Sequence, residues 1–124
     1  MSQKTIVQKL LIKEDYSVLL INSPADYEQK LGKLPAKVNI TTDSTGKPFK
    51  LIQLFVISKK QLELHLSKLK LLLENNGLLW ITYPKGKSEI NRDTIRAYAS
   101  TLGLQAVSLV AIDETWSALR LKIV

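Results

Sequence analysis

The chain has 124 residues, 45% hydrophobic and 23% charged, enough for one packed domain (residues 1–124) and too apolar for a disordered chain. It has no cysteine and one histidine, His65, so disulfide scaffolds, thiol nucleophiles and cysteine- or histidine-rich metal sites are excluded, and no metal centre is expected. The formal charge of +7 is uneven, +5 over residues 1–60 against +2 over residues 61–124; it is read first as a solvated basic surface, with nucleic acid an unfavoured partner.

Lys4, Lys9 and Lys13 interrupt the N-terminal segment, so it does not read as a signal peptide. The longest uncharged stretch, residues 97–112, is shorter than the roughly 20 apolar residues of a membrane span. A cytoplasmic protein with no membrane partner is expected. Residues 17–22 (SVLLIN) hold an apolar run with no clean period of two, as in a strand buried on both faces of a parallel sheet. Ser23-Pro24-Ala25-Asp26 places a capping serine before a proline, which predicts a helix from Pro24 to Leu31. A short strand is expected at 38–41 and a longer one at 51–57 (LIQLFVI).

Ser58 with Gln61 is a capping-box pattern opening a helix that should run to Gly77. On it Leu62, Leu66, Leu69 and Leu73 share one face, while Leu64 and Leu71 fall opposite. That second pair is either exposed or the interface for a protein partner or a second copy. A strand at 78–83 (LLWITY) follows, then a helix capped by Asn91 and ended by Gly103. Strands at 106–112 and 117–124 have only four residues between them, so they must form an antiparallel hairpin.

Alternating strands and helices predict an α/β fold, a mostly parallel Rossmann-like sheet finished by an antiparallel β-hairpin. Three segments carry a resemblance to the class I methyltransferases: FKLIQLFV, LKLLLENNGLLWITYP and AIDETWSALRLKIV. LINSP, LFVISK, LLWITYPKG and DETWSALRLK together resemble a small bacterial family known only as a domain of unknown function, over residues 16–124. The resemblance implies a shortened methyltransferase-like fold that lacks one strand and one helix. It also implies that a cofactor loop should follow the first strand, where glycines let the backbone approach S-adenosylmethionine. Here that loop reads Asn22-Ser23-Pro24, so a degenerate site and no cofactor are expected. Asp43 lies where an acid would meet ribose hydroxyls, although DSTG reads more simply as a turn. Residues 42–50 must also carry the chain across the first strand. They can do so only if nearly extended; otherwise the 38–41 strand is an antiparallel edge.

No catalytic residue is expected. His65 lies inside a helix, away from any strand-end nucleophile, and Asp113-Glu114 reads as turn chemistry. Trp80, Tyr83 and Trp116 read as core rather than as base-stacking groups. Ligands of parallel sheets bind outside the carboxyl ends of the strands. Ser23, Ser58, Lys59, Lys85, Lys87 and Arg92 gather at that edge as candidate anion ligands, with Lys85 central, Ser23 and Lys59 opposite it, and Lys9 remote. The reading these residues favour is a non-enzymatic binding or interaction module that does not bind S-adenosylmethionine. The alternative is an enzyme or sensor for a small phosphate- or carboxylate-bearing ligand at the strand ends.

Overall fold

The computed structural model describes residues 4–45, 48–86 and 89–124. It opens on a helix the sequence reading passed over, α1 (Ile6–Leu10). The signal was there. Thr5 accepts from the Gln8 amide and Gln8 reaches back to the Thr5 amide, a reciprocal capping box in the letters TIVQ. The remaining elements are β1 (Ser17–Ile21), α2 (Tyr27–Leu31), β2 (Asn39–Thr41), β3 (Phe49–Phe55), α3 (Lys59–Leu69), β4 (Leu73–Pro84), α4 (Arg92–Thr101), β5 (Leu104–Ala111) and β6 (Trp116–Ile123).

The strands form one sheet in the order β2-β1-β3-β4-β6-β5. β2, β1, β3 and β4 run parallel, and β6 is antiparallel to both β4 and β5. This is the mostly parallel α/β sheet with a closing antiparallel hairpin that the sequence predicts. β2 is parallel, and the register explains how so short a connection suffices. Thr41 lies beside Leu19, and Leu51 beside Val18, so the crossing strands are staggered low on the sheet. The chain must move two strand spacings, about 10 Å, and come back about 10 Å along the strands, and residues 42–48 can reach about 25 Å.

Two helix boundaries differ from expectation. The third helix stops at Leu69, passes through one 3-10 turn at Lys70–Leu72 and enters β4 at Leu73, well before Gly77. Leu73 pairs beside Phe49, yet Leu78 already pairs beside Leu51, so Glu74-Asn75-Asn76-Gly77 forms a bulge. Asn76 takes a left-handed φ of 61°, and a Cβ on Gly77 would lie 2.7 Å from the Leu73 side chain and 2.9 Å from the Glu74 carbonyl. The second difference is α2, which starts at Tyr27 rather than Pro24 and is five residues long. Its flanking Asp26 side chain makes no capping bond.

Side chains alternate to two cores on opposite faces of the sheet. Leu19, Ile52, Leu54, Leu79 and Ile81 pack under α3 and α4 with Leu62, Leu66 and Ile95. Val18, Leu20, Leu51, Phe55 and Trp80 pack under α1 and α2 with Leu10 and Tyr27. Trp80 is 1% exposed and donates its indole N–H to the Leu10 carbonyl at 3.0 Å, a core role as expected. Among the described residues, no helix is long and apolar enough to cross a membrane.

Candidate functional site

β1 leads into α2 on one face and β3 into α3 on the other, so the switch point of the sheet lies between the carboxyl ends of β1 and β3. A crevice at such a point is where open α/β sheets take their ligands. On the β1 side stands Asn22, exposed, with φ of 61°. Its amide nitrogen lies 3.4 Å from the Phe55 carbonyl and 3.4 Å from His65 Nε2, so it bridges the end of β3 and the middle of α3. Ser23 follows it, partly buried.

The β3 side is self-satisfied. Ser58 Oγ accepts from the Gln61 amide at 3.2 Å, and Gln61 Oε1 accepts from the Ile57 amide at 2.8 Å. The Lys59 amide donates to Glu89 at 3.3 Å, so a carboxylate of this chain already sits at the α3 N-terminus. Ile57 between them is 58% exposed, an apolar side chain left at the mouth of the crevice.

Of the anion candidates, Ser58 and Lys59 are therefore together at the start of α3, with Ser23 across the switch point. Arg92 stands at the start of α4, 3.6 Å from Asp93, and its charge bears on the buried Tyr83. Burial, the larger influence, raises the Tyr83 phenol above its ordinary value. Lys87 lies outside the described residues. Lys85 turns toward the hairpin, donating its ammonium to the Asp113 carbonyl at 2.7 Å and its amide to Thr115 at 2.9 Å. There it lines a cleft of about 710 Å³ with Lys4, Lys9, Lys30 and Lys33. Lys9 is thus a neighbour of Lys85, contrary to the sequence expectation; its ammonium bonds Ala111 O at 2.8 Å, at the same hairpin. Distance along the chain misled because α1, absent from the sequence reading, lays Lys9 beside the end of β5.

Asp43 is a turn residue. Its carboxylate accepts from the Thr45 hydroxyl at 2.7 Å and the Thr45 amide at 2.9 Å, bonds that hold it below the usual carboxylate range. Because β2 ends beside Leu19, Asp43 borders a hollow with Ser17, Phe49 and Glu74 rather than the crevice above.

No protein-family model matches the chain, and no curated protein sequence does. The resemblance to a small family of unknown function therefore goes no further. Solved structures share the fold. The ribosomal protein L11 methylase from Lactobacillus delbrueckii subsp. bulgaricus superposes with a TM-score of 0.68 at 13% identity, over 95% of this chain and 74% of that one. A DhpI–SAM–HEP complex gives 0.62 at 9%, over 94% and 84%. A TehB-like SAM-dependent methyltransferase from Corynebacterium glutamicum gives 0.59 at 12%, over 95% and 85%. The chain thus has a class I methyltransferase-like fold.

These likenesses overturn the expectation of a non-enzymatic module that does not bind S-adenosylmethionine, since the structures that share the fold include a ribosomal protein L11 methylase, a SAM-dependent methyltransferase and a complex that holds SAM. The physical error is local. Glycine was expected there so that the backbone could approach a ligand closely; Asn22 stands in its place with the left-handed φ that glycine takes freely and asparagine also visits.

Proposed function

We propose that the chain is a single-domain cytoplasmic enzyme of the S-adenosylmethionine-dependent methyltransferase type, with its cofactor at the β1/β3 switch point. The observation that carries this reading is Asn22 at φ 61° on the end of β1, in a fold whose solved relatives include a SAM complex. The residues present suit such a ligand in two respects. Asn22 holds at the end of β1 the left-handed φ that glycine would take there, and Ile57 offers an exposed apolar wall. The cofactor supplies an electrophilic methyl group.

The chain's own residues orient the ligand and handle a proton. Asn22, held between Phe55 O and His65, fixes the width of the crevice mouth. His65 Nε2 lies 3.4 Å from the Asn22 amide nitrogen at the end of β1. An imidazole placed there is of the type that can take the proton an O–H or N–H acceptor group loses on methylation. The lysine cleft beyond β4 lies along the same edge and would favour acidic substrates.

Titration calorimetry with S-adenosylmethionine tests the reading. Saturable binding is expected for the wild type and for Asn22→Gly, which takes the positive φ freely. Asn22→Val should lose at least tenfold, because a β-branched residue is strained there. His65→Ala should bind as wild type yet turn over more slowly. Absence of saturable wild-type binding at millimolar cofactor disproves the proposal.

A further inference from the structure

At the opposite, amino-terminal edge of the parallel strands, the β4–β6 ladder stops at the Leu79–Leu121 pair. Below it β4 continues through its bulge, and β6 continues to Ile123. The two strands part there, and a cavity of about 490 Å³ opens between them and the turn after α1. Leu78 and Leu121 supply apolar wall, and Lys13, Lys122 and Arg120 supply cations.

Arg120 is the anomaly. It is only partly exposed, and its Nε is buried with no hydrogen-bond partner. Among the described residues it makes no ion pair: Glu74 lines the same cavity but does not approach it within bonding distance. A guanidinium Nε–H held out of water without a partner is costly, and an arginine so placed is ordinarily matched by a carboxylate or phosphate. Every other buried side-chain nitrogen and oxygen among the described residues has a partner. Gln53 and Thr82, buried in the same sheet, are bonded: Gln53 donates to the Thr82 hydroxyl and accepts from the Tyr27 phenol.

We propose that this cavity is a second ligand site, taking a small carboxylate with an apolar body, with Arg120 as its anchor. Three cations against Glu74 leave the pocket positive, and its leucine walls suit a hydrocarbon portion rather than a free inorganic ion. The site lies at the far edge of the sheet from the crevice between β1 and β3. It does not depend on the methyltransferase reading.

Hexanoate, inorganic phosphate and hexanol are the probes, each followed by thermal unfolding and by amide NMR shifts. Hexanoate is expected to raise the Tm and to move the Gly77 amide resonance, with phosphate and hexanol at least tenfold weaker. Arg120→Met should reduce hexanoate affinity tenfold or more while leaving the ligand-free Tm unchanged or higher, since it removes an unpaired charge. Lys13→Ala should lower affinity with the fold intact, and keeps the test alive should Arg120→Met fold poorly. No shift with hexanoate, equal shifts with phosphate, or an unaltered response in both variants would overturn the proposal.

Discussion

Under α3 and α4 the sheet presents leucine and isoleucine almost alone, and the helices above it are eleven and ten residues long with side-chain caps at Ser58 and Asn91. Under α1 and α2 it presents Phe55, Trp80, Gln53 and Thr82, and each helix is five residues long. Isolated helices of five residues do not persist, so the second face must hold its helices by specific contacts. It does so with the indole bond to Leu10 and a buried chain in which Tyr27 donates to Gln53 at 2.8 Å and Gln53 to Thr82 at 2.8 Å. Edge-to-face rings complete it, Tyr27 to Phe55 at 4.7 Å and Phe55 to Trp116 at 5.2 Å. One face is held by volume, the other by direction.

The sharpest test of that contrast is a deletion on the volume-held face. Leu66→Ala, fully buried beneath α3, should cost about 2–5 kcal/mol in urea denaturation, because the cavity cannot collapse under a long helix. A cost below 1 kcal/mol would mean that the face is not packed as described. Next, Tyr27→Phe removes one oxygen and leaves Gln53 without its donor, for a loss of about 1–3 kcal/mol by the same measurement. The volume change is slight, so a neutral result would show that direction is not what holds α2.

The same phenol gives a pH signature. Burial, with the Asp113 charge adding to it, pushes the Tyr27 phenol above its ordinary value of 10. The folded state therefore keeps a proton that the unfolded state releases. Its contribution is full below about pH 10, declines as pH rises beyond that toward the folded value, and should be missing from Tyr27→Phe over the same window. The smallest effect is expected on the outer surface of α3 and of the 3-10 turn that follows it. Leu64 and Leu71 are 56% and 84% exposed, and replacing both by Glu should change stability by about 0.5 kcal/mol or less. If the pair covers a second copy, light scattering will report a dimer for the wild type and a monomer for the double variant; a monomeric wild type at high concentration removes the interface.

The volume-held face was legible in the sequence and the other was not, for a reason visible in the residues. Leu62, Leu66 and Leu69 repeat at helical spacing, and Ser58 and Asn91 mark where their helices begin. α1 offers one short capping box and no room for periodicity, and α2 begins after a proline that promised an earlier start. The end of α3 was misplaced because Leu71 and Leu73 continue the leucine spacing, whereas the bulge that ends it depends on pairing with Phe49. At the site, Asn22 and His65 sit 43 residues apart in sequence and meet only through the fold. That Asn22 takes a left-handed φ where a glycine was looked for is likewise invisible in the letters, because composition does not report φ.

β6 lies inside the sheet, between β4 and β5, although it is the last strand in the chain. During synthesis β5 therefore emerges with no neighbour to pair with, and β4 waits with one edge bare. At about 5–20 residues per second, β6 emerges within a few seconds of β5. Until then Leu79, Ile81 and Thr82 lack the partners that Leu121, Leu119 and Ala118 will provide. The nascent protein can complete its sheet only when residues 116–123 have cleared the ribosome, and a ribosome stalled just before them would hold a chain whose β4 edge stays bare and whose β5 pairs with nothing.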